Sequence, residues 1–331
     1  MLFLDGSDAA LEKAAAMLRS GGIVAFPTET VYGLGAAAFD TRALARVFEA
    51  KGRPRFDPLI IHLADRDALE RIADLDALDA RRRGLLDTLA ETFWPGPLTL
   101  VLPKRPEVPD LATAALPTAA IRIPRHPLAR RLIALSTGAV AAPSANPFGR
   151  LSPTTAAHVI EGLGDSIDCV IDGGPCEMGV ESTVLDLSSD TVRILRPGGV
   201  GREELEAAAG TGVIAGAAAR YTEGGAAGPG MLKSHYAPRV PLVLRRSGEM
   251  PAGGAGEAVL FFSGATRDAA RKTAQAGDTA EAAGAAVLTL SENGSTLEAA
   301  ANLFEFLHRL EKRNPARIYA EILPDEGLGA A

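Results

Sequence analysis

The sequence predicts an α/β protein of two units, and three observations carry that expectation. Strand-like apolar runs alternate with segments of helical period along most of the chain. The 331 residues exceed the usual range of one domain, and an apolar share of 47% suffices for two cores. A Gly- and Ala-rich stretch from Gly210 to Pro241 interrupts the alternation and reads as a linker. The expected organisation is residues 1–209 as a larger unit, 210–240 as linker and 241–331 as a smaller unit.

From Ser7 to Arg19 the spacing is helical, with Leu11, Ala14, Ala15 and Leu18 on one face, Ser7 as N-cap and Gly21-Gly22 as the stop. Residues 23–26 read as a strand that runs into PTETVYGLG, residues 27–35. Pro27 ends the ladder there, and Gly33 and Gly35 permit backbone approaches that a side chain would block. A plain turn accounts for the glycines; Thr28, Glu29, Thr30 and Tyr32 add ligand-type groups at a strand end.

Thr41 is expected to cap a second helix, with Leu44, Val47 and Phe48 inward, ending at Lys51-Gly52. There the basic turn KGRPRFDP feeds the apolar run Leu59, Ile60, Ile61 and then His62. A cation at a helix C-terminus explains Lys51, but not why Arg53 and Arg55 continue beyond it. Two further helices are expected between Asp67 and Thr92, with Arg81, Arg82 and Arg83 on a solvated face.

After the turn at Trp94, strands are expected at 98–102 and 119–123. The second, AAIRI, carries Arg122, which needs an anion or a carboxylate partner, because an unpaired buried charge costs about 3–5 kcal/mol. Residues 139–142 form a small-residue strand that opens into PSANPFGRLSPTT, with Ser144 and Asn146 just past its end. Ser152-Pro153 reads as the N-cap and first position of the next helix, whose free N–H groups suit a phosphate. Strands at 169–172, 183–187 and 192–195, the turn at Arg196 and a helix at 203–209 complete the larger unit. Beyond Pro241, strands at 242–244, 258–262, 286–290 and 318–323 alternate with helices at 266–275 and 296–313, which predicts a small parallel sheet flanked by helices.

Composition narrows the function. A net charge of -7 argues against a surface devoted to nucleic acid. No apolar run reaches membrane-spanning length and the N-terminus lacks the zones of a signal peptide, so a soluble cytoplasmic protein is expected. Cys169 and Cys176 match no redox or zinc spacing and read as buried fillers in a reducing compartment. GPGMLKS, residues 228–234, mimics a phosphate loop but has Leu232 where Gly is required. With no metalloprotease, nucleophile-elbow or cysteine-nucleophile pattern, what remains is a set of strand-end clusters: Thr28 to Tyr32, Lys51 to His62, Arg122, Ser144 to Asn146, Ser182 and Arg196. Cations, hydroxyls and an amide without a protein nucleophile suit charge stabilisation at a phosphate.

GGIVAFPTETVYGLG, KGRP with PLIIH, FWPGPLTLVL, IRIP, APSAN and the late SHYAP together resemble the Sua5/YrdC/YwlC family of threonylcarbamoyl-AMP synthases, in its two-domain Sua5 form. The resemblance is specific from about Gly21 to Gly199, clear at SHYAP and general beyond it. It implies a YrdC-like twisted mixed sheet flanked by helices, followed by a smaller Rossmann-like parallel domain. The implied reaction joins L-threonine, bicarbonate and ATP into threonylcarbamoyl-adenylate and pyrophosphate, towards N6-threonylcarbamoyladenosine in tRNA. The family's K-x-R and S-x-N pairs stand here as Lys51, Arg53, Ser144 and Asn146, by resemblance the catalytic tetrad, in which Lys51 and Arg53 stabilise the growing negative charge and Ser144 and Asn146 orient the phosphates. By resemblance Thr30, His62, Arg122, Ala142 and Ser182 hold threonine, while Arg53, Asp57, Thr118, Ser144, Ser152, Arg196 and Tyr236 hold ATP.

Magnesium would travel with the triphosphate, with no protein metal site and no organic cofactor. The implied partners are these substrates and the tRNA threonylcarbamoyltransferase machinery as acceptor, with no membrane; monomer and dimer are both compatible with the sequence. Asp57 departs from the Asn usual in the family, and a further helix is expected after Gly329-Ala330-Ala331. One alternative is a module that grips tRNA or double-stranded RNA without catalysis. Another, a hydrogenase-maturation carbamoyltransferase, should bring zinc-finger cysteines.

Overall fold

A computed structural model describes residues 1–215, 236–251, 254–273 and 285–331, and among them the chain forms one large and one small sheet. The phosphate-loop mimic at 228–234, the first two residues of SHYAP and most of the expected linker lie outside the described residues.

The large sheet begins with β1 (Leu2–Leu4), α1 (Asp8–Arg19), β2 (Val24–Phe26), β3 (Gly33–Ala37), α2 (Thr41–Lys51) and β4 (Ile60–Leu63). After two 3₁₀ turns at Arg66–Arg71 and Leu75–Ala77 come α3 (Ala80–Phe93), β5 (Leu98–Pro103), α4 (Asp110–Thr113) and β6 (Thr118–Arg122). Next are α5 (Pro127–Leu135), β7 (Ala139–Ala141), α6 (Ala156–Leu163) and β8 (Cys169–Ile171). β9 (Thr183–Asp186), β10 (Val192–Arg196), α7 (Arg202–Ala209) and β11 (Ile214–Ala215) close it. The strand order is β1-β8-β2-β3-β7-β4-β6-β5-β9-β10-β11, with parallel pairs such as β4–β6 interleaved with antiparallel pairs such as β4–β7.

The order explains the site. β4, β6 and β7 are neighbours in the middle of the sheet, and the registers His62↔Arg122 and Ile61↔Ala141 set their short runs side by side. The loop after β7 returns to β3 through the bridge Gly33↔Ser144. Gly35 must be glycine for packing: an added Cβ would lie 2.7 Å from both the Phe26 ring and Val140.

Several local expectations are corrected. α2 is capped by Asp40, whose carboxylate accepts from the Arg42 and Ala43 N–H groups at 2.9 and 3.1 Å; Thr41 is already helical. α6 is capped by Thr155, so the helix starts three residues after the position the Ser-Pro pair suggests. Ser152 is not a cap at all, because its hydroxyl donates to Glu181 at 2.9 Å. Between Asp67 and Thr92 there is one α-helix, preceded by 3₁₀ turns. Arg82 is not a plain solvated charge: it pairs with Asp79 at 3.1 Å and donates to the Ser188 carbonyl at 2.9 Å.

The small sheet comprises β12 (Leu242–Arg245), β13 (Ala258–Ser263), α8 (Gly264–Thr273), β14 (Ala286–Ser291), α9 (Thr296–Glu311) and β15 (Ile318–Glu321). Its order β12-β15-β13-β14 is all parallel, as the alternation predicts. α9 faces the large sheet. Gly179, with φ 67°, packs so closely on the helix that a Cβ would lie 2.5 Å or less from the Ala300 and Ala301 carbonyl oxygens. His308 stacks on His158 at 3.9 Å and donates through Nε2 to the Ser152 carbonyl at 3.1 Å. Val31 and Leu151 join Leu290, Phe304 and Leu307 in one apolar cluster, so the small sheet's core backs a wall of the site. Among the described residues no helix is long and apolar enough to cross a membrane.

Candidate functional site

A pocket opens over these adjoining strands. Of the residues singled out in the sequence, Thr28, Thr30, Arg53, His62, Arg122, Ala142, Ser144, Arg196 and Tyr236 line it. Lys51, Asp57 and Ser182 stand one contact behind the lining. Ser152 reaches it through Glu181. Asn146 lies on the wall of a different cavity, beside Arg150 and His158. Thr118 is at the opposite end of β6 from Arg122 and lines neither pocket.

Arg122 is 2% exposed, and the partner its burial demands is Glu29, 2.7 Å away and itself 1% exposed. Its Nε donates to the Gly96 carbonyl at 3.1 Å and its Nη1 to Thr30 Oγ1 at 2.9 Å. Burial raises the Glu29 carboxyl, and the Arg122 charge with the surrounding N–H donors reverses that, leaving it below its ordinary value. His62 sits in the next register position, its Nδ1 3.1 Å from the Ile60 carbonyl. A carbonyl only accepts, so Nδ1 carries the proton and Nε2 of the neutral ring is an acceptor. Burial and the nearby Arg122 lower its pKa to about 3, which keeps the ring neutral at physiological pH.

Arg196 marks the other side. It donates through Nε and Nη2 to the Ser182 carbonyl at 3.1 and 2.9 Å, through Nη2 to Ser182 Oγ at 3.0 Å and through Nη1 to Tyr236 Oη at 3.1 Å. Glu181 is farther away, at 3.7 Å. Gly198 holds this corner: an added Cβ would sit 2.4 Å from the Glu181 carbonyl oxygen and from Ser182 C. Tyr236 adopts φ 60°, an uncommon conformation for a non-glycine residue. It is held there by Arg196, by the Phe304 ring 5.9 Å away and by the following N–H of Ala237, which donates to the Gly149 carbonyl at 3.0 Å.

The basic turn lies between. Gly52 ends α2 in the left-handed conformation, φ 62°, and turns Arg53 inward. Arg53 pairs with Asp57 at 2.9 Å and donates to the Asp57 and Pro58 carbonyls at 3.2 and 2.9 Å. Asp57 therefore meets a cation, the condition under which a carboxylate is tolerated near phosphate. Lys51 is buried, donating to the Ser144 carbonyl at 2.6 Å and to that of Asn146. Burial and then Arg53 hold its pKa well below the ordinary value. The Asn146 amide donates to the Pro147 and Arg150 carbonyls, both at 2.9 Å. Arg55 is exposed.

Two carboxylates escaped the site selection. Glu29 belongs to the polar turn noted in the sequence, and the demand of Arg122 for a counterion is the signal that could have found it. Glu181 lines the pocket. It precedes Ser182 in a glycine-rich turn and carries no such signal. Among the described residues no group of three or more His, Cys, Asp or Glu side chains is placed to hold a metal ion. Cys169 and Cys176 are free and buried, and burial pushes their thiols up to about 11 and about 12.

A mixed α/β sheet with buried arginines at its strand ends defines the class, that of the YrdC-type domain. Residues 16–198 match the Sua5_yciO_yrdC family, described as "Telomere recombination", and residues 200–331 match "Threonylcarbamoyl-AMP synthase, C-terminal domain". The chain belongs to the Sua5 branch of this family. It is 42% identical over 329 residues to the threonylcarbamoyl-AMP synthase of Pyrococcus abyssi (strain GE5 / Orsay), covering 96% of this chain and 90% of that protein. To the Bacillus subtilis (strain 168) enzyme of the same name it is 39% identical over 333 residues, covering 99% and 92%. The crystal structure of P. abyssi Sua5 complexed with L-threonine superposes with a TM-score of 0.84 at 36% identity, covering 99% of this chain and 94% of that one.

Proposed function

We propose that this protein condenses L-threonine, bicarbonate and ATP into threonylcarbamoyl-AMP and pyrophosphate. One observation carries the reading beyond family membership: a single pocket has buried arginines on two sides. Arg122, paired with Glu29, stands alone on one side and suits one carboxylate, while Arg53, paired with Asp57, and Arg196, whose nearest acceptors are neutral, stand together on the other and suit a polyphosphate.

Threonine places its carboxylate on Arg122. His62 Nε2, an acceptor, faces its amine or hydroxyl, and Thr30, Ala142 and Ser182 complete the subsite. The amine captures bicarbonate-derived carbon dioxide to give a carbamate. A carbamate oxygen then attacks the α-phosphorus and pyrophosphate departs. Arg53, Ser144 and Arg196 hold the phosphates, Lys51 and Asn146 brace the loop carrying Ser144, and Asp57 fixes Arg53. Tyr236 orders Arg196 on the ATP side.

Magnesium enters with ATP as part of the substrate; Glu181 of the pocket and Glu29 behind its lining already accept from Ser152 and Arg122. The product passes to the tRNA threonylcarbamoyltransferase machinery in the cytoplasm. Pyrophosphate release without RNA tests the reaction. It is expected only when L-threonine, bicarbonate and ATP are all present. Absence of release, together with salt-sensitive RNA binding, would favour an RNA-binding module instead.

A further inference from the structure

Glu29 has no role in the reaction just described, yet its carboxylate is built into the site from both oxygens. Oε1 accepts from Arg122 Nη2 at 2.7 Å, and Oε2 accepts from the Arg125 backbone N–H at 3.0 Å. The second contact fixes the carboxylate independently of the arginine. Its own carbonyl accepts from the Met178 N–H at 2.9 Å, so the backbone is tied as well. Glu29 stands outside the pocket lining and Arg122 within it. Each donor nitrogen of Arg122 is committed, Nε to Gly96, Nη1 to Thr30 and Nη2 to Glu29, which leaves one hydrogen on each terminal nitrogen for a ligand.

We propose that Glu29 is a positioning residue that sets the plane of the Arg122 fork and so makes a free α-carboxylate the feature by which the amino-acid substrate is selected. The inference rests on Arg122 being the carboxylate anchor. A buried guanidinium without a fixed counterion would turn towards whatever acceptor the pocket offers. Held by Glu29 on one terminal nitrogen and Thr30 on the other, it presents its remaining hydrogens in a fixed direction, and a planar carboxylate is the group that takes both.

The test compares L-threonine with L-threoninamide, which keeps the amine and side chain but lacks the carboxylate. Both are titrated calorimetrically into the full chain as wild type, Glu29→Gln and Glu29→Asp. In Glu29→Gln one oxygen acceptor becomes an N–H donor, so Arg122 and the Arg125 N–H cannot both be satisfied. Threonine affinity should fall about tenfold while threoninamide affinity and KM for ATP stay unchanged. Glu29→Asp keeps the charge on a shorter arm, should lose threonine affinity to a smaller degree, and supplies the same comparison if the Gln variant does not fold. Equal weakening of both ligands, or no change in either, would overturn the positioning role. Failure of the wild type to bind threonine would instead overturn the proposed reaction.

Discussion

Arg122 and Arg196 sit on opposite sides of one pocket at similar depth, 2% and 8% exposed, yet in different company. Arg122 has a buried carboxylate 2.7 Å away. Arg196 is wrapped mainly by neutral acceptors, the Ser182 carbonyl and hydroxyl and the Tyr236 phenol, with Glu181 at 3.7 Å. On the second side the carboxylates are divided between two arginines, Asp57 at 2.9 Å from Arg53 and Glu181 at 3.7 Å from Arg196, so Arg196 keeps more of its charge for a ligand than Arg122 does. The comparison also separates what each arginine contributes to folding from what it contributes to binding.

The largest expected effect breaks the first side. Arg122→Ala strands Glu29 as a buried, unpaired anion and should lower unfolding free energy by about 3–5 kcal/mol in a urea titration, with threonine binding lost. Arg196→Ala leaves chiefly neutral acceptors unsatisfied and should cost about 1–3 kcal/mol. Equal losses in the two variants would remove the distinction.

A finer change sharpens the second side. Tyr236→Phe keeps the ring against Phe304 and removes the oxygen that accepts from Arg196 Nη1. ATP affinity should fall about fivefold, the worth of roughly 1 kcal/mol, with threonine affinity unchanged in the same calorimetric series. An equal loss for threonine would mean that the two sides act as one.

How much of this was legible in the sequence follows from how local each signal is. A charge inside the apolar run AAIRI announces a buried ion pair at Arg122, and alternating strands and helices predict the small parallel sheet. Asp40 and Thr155 were missed as caps because several capping residues cluster at each helix start, and only three-dimensional geometry shows which one turns inward. The juxtaposition of β4, β6 and β7 is non-local, so nothing in the spacing of His62, Arg122 and Ala141 reports that they stand on adjoining strands. Asn146 and Thr118 show the converse limit, since a motif position does not specify which cavity its side chain meets.

The smallest effect near neutrality is a pH dependence, and it reports on two neutral rings, His62 in the pocket and His158 on the wall of the second cavity. His62 has its pKa lowered to about 3 by burial and by Arg122, and His158 to about 3 by burial, His308 and Lys312. Unfolded histidine titrates near about 6.5, so below that pH the unfolded chain takes protons that the folded chain refuses. Stability from these rings is complete above about pH 6.5 and is lost as pH falls towards 3. Glu29, with its folded pKa depressed, acts in the same sense at lower pH: its contribution is present above the unfolded carboxyl pKa and disappears as pH falls through the folded one. Each ring contributes a slope of up to about 1.4 kcal/mol per pH unit. His62→Gln should therefore reduce the pH dependence of urea stability between about pH 6 and 4 by up to one proton's worth, while wild-type threonine affinity stays level from about pH 6 to 8. An undiminished slope in the variant would show that His62 is protonated in the folded protein, and its Nε2 could then no longer serve as the acceptor beside Arg122.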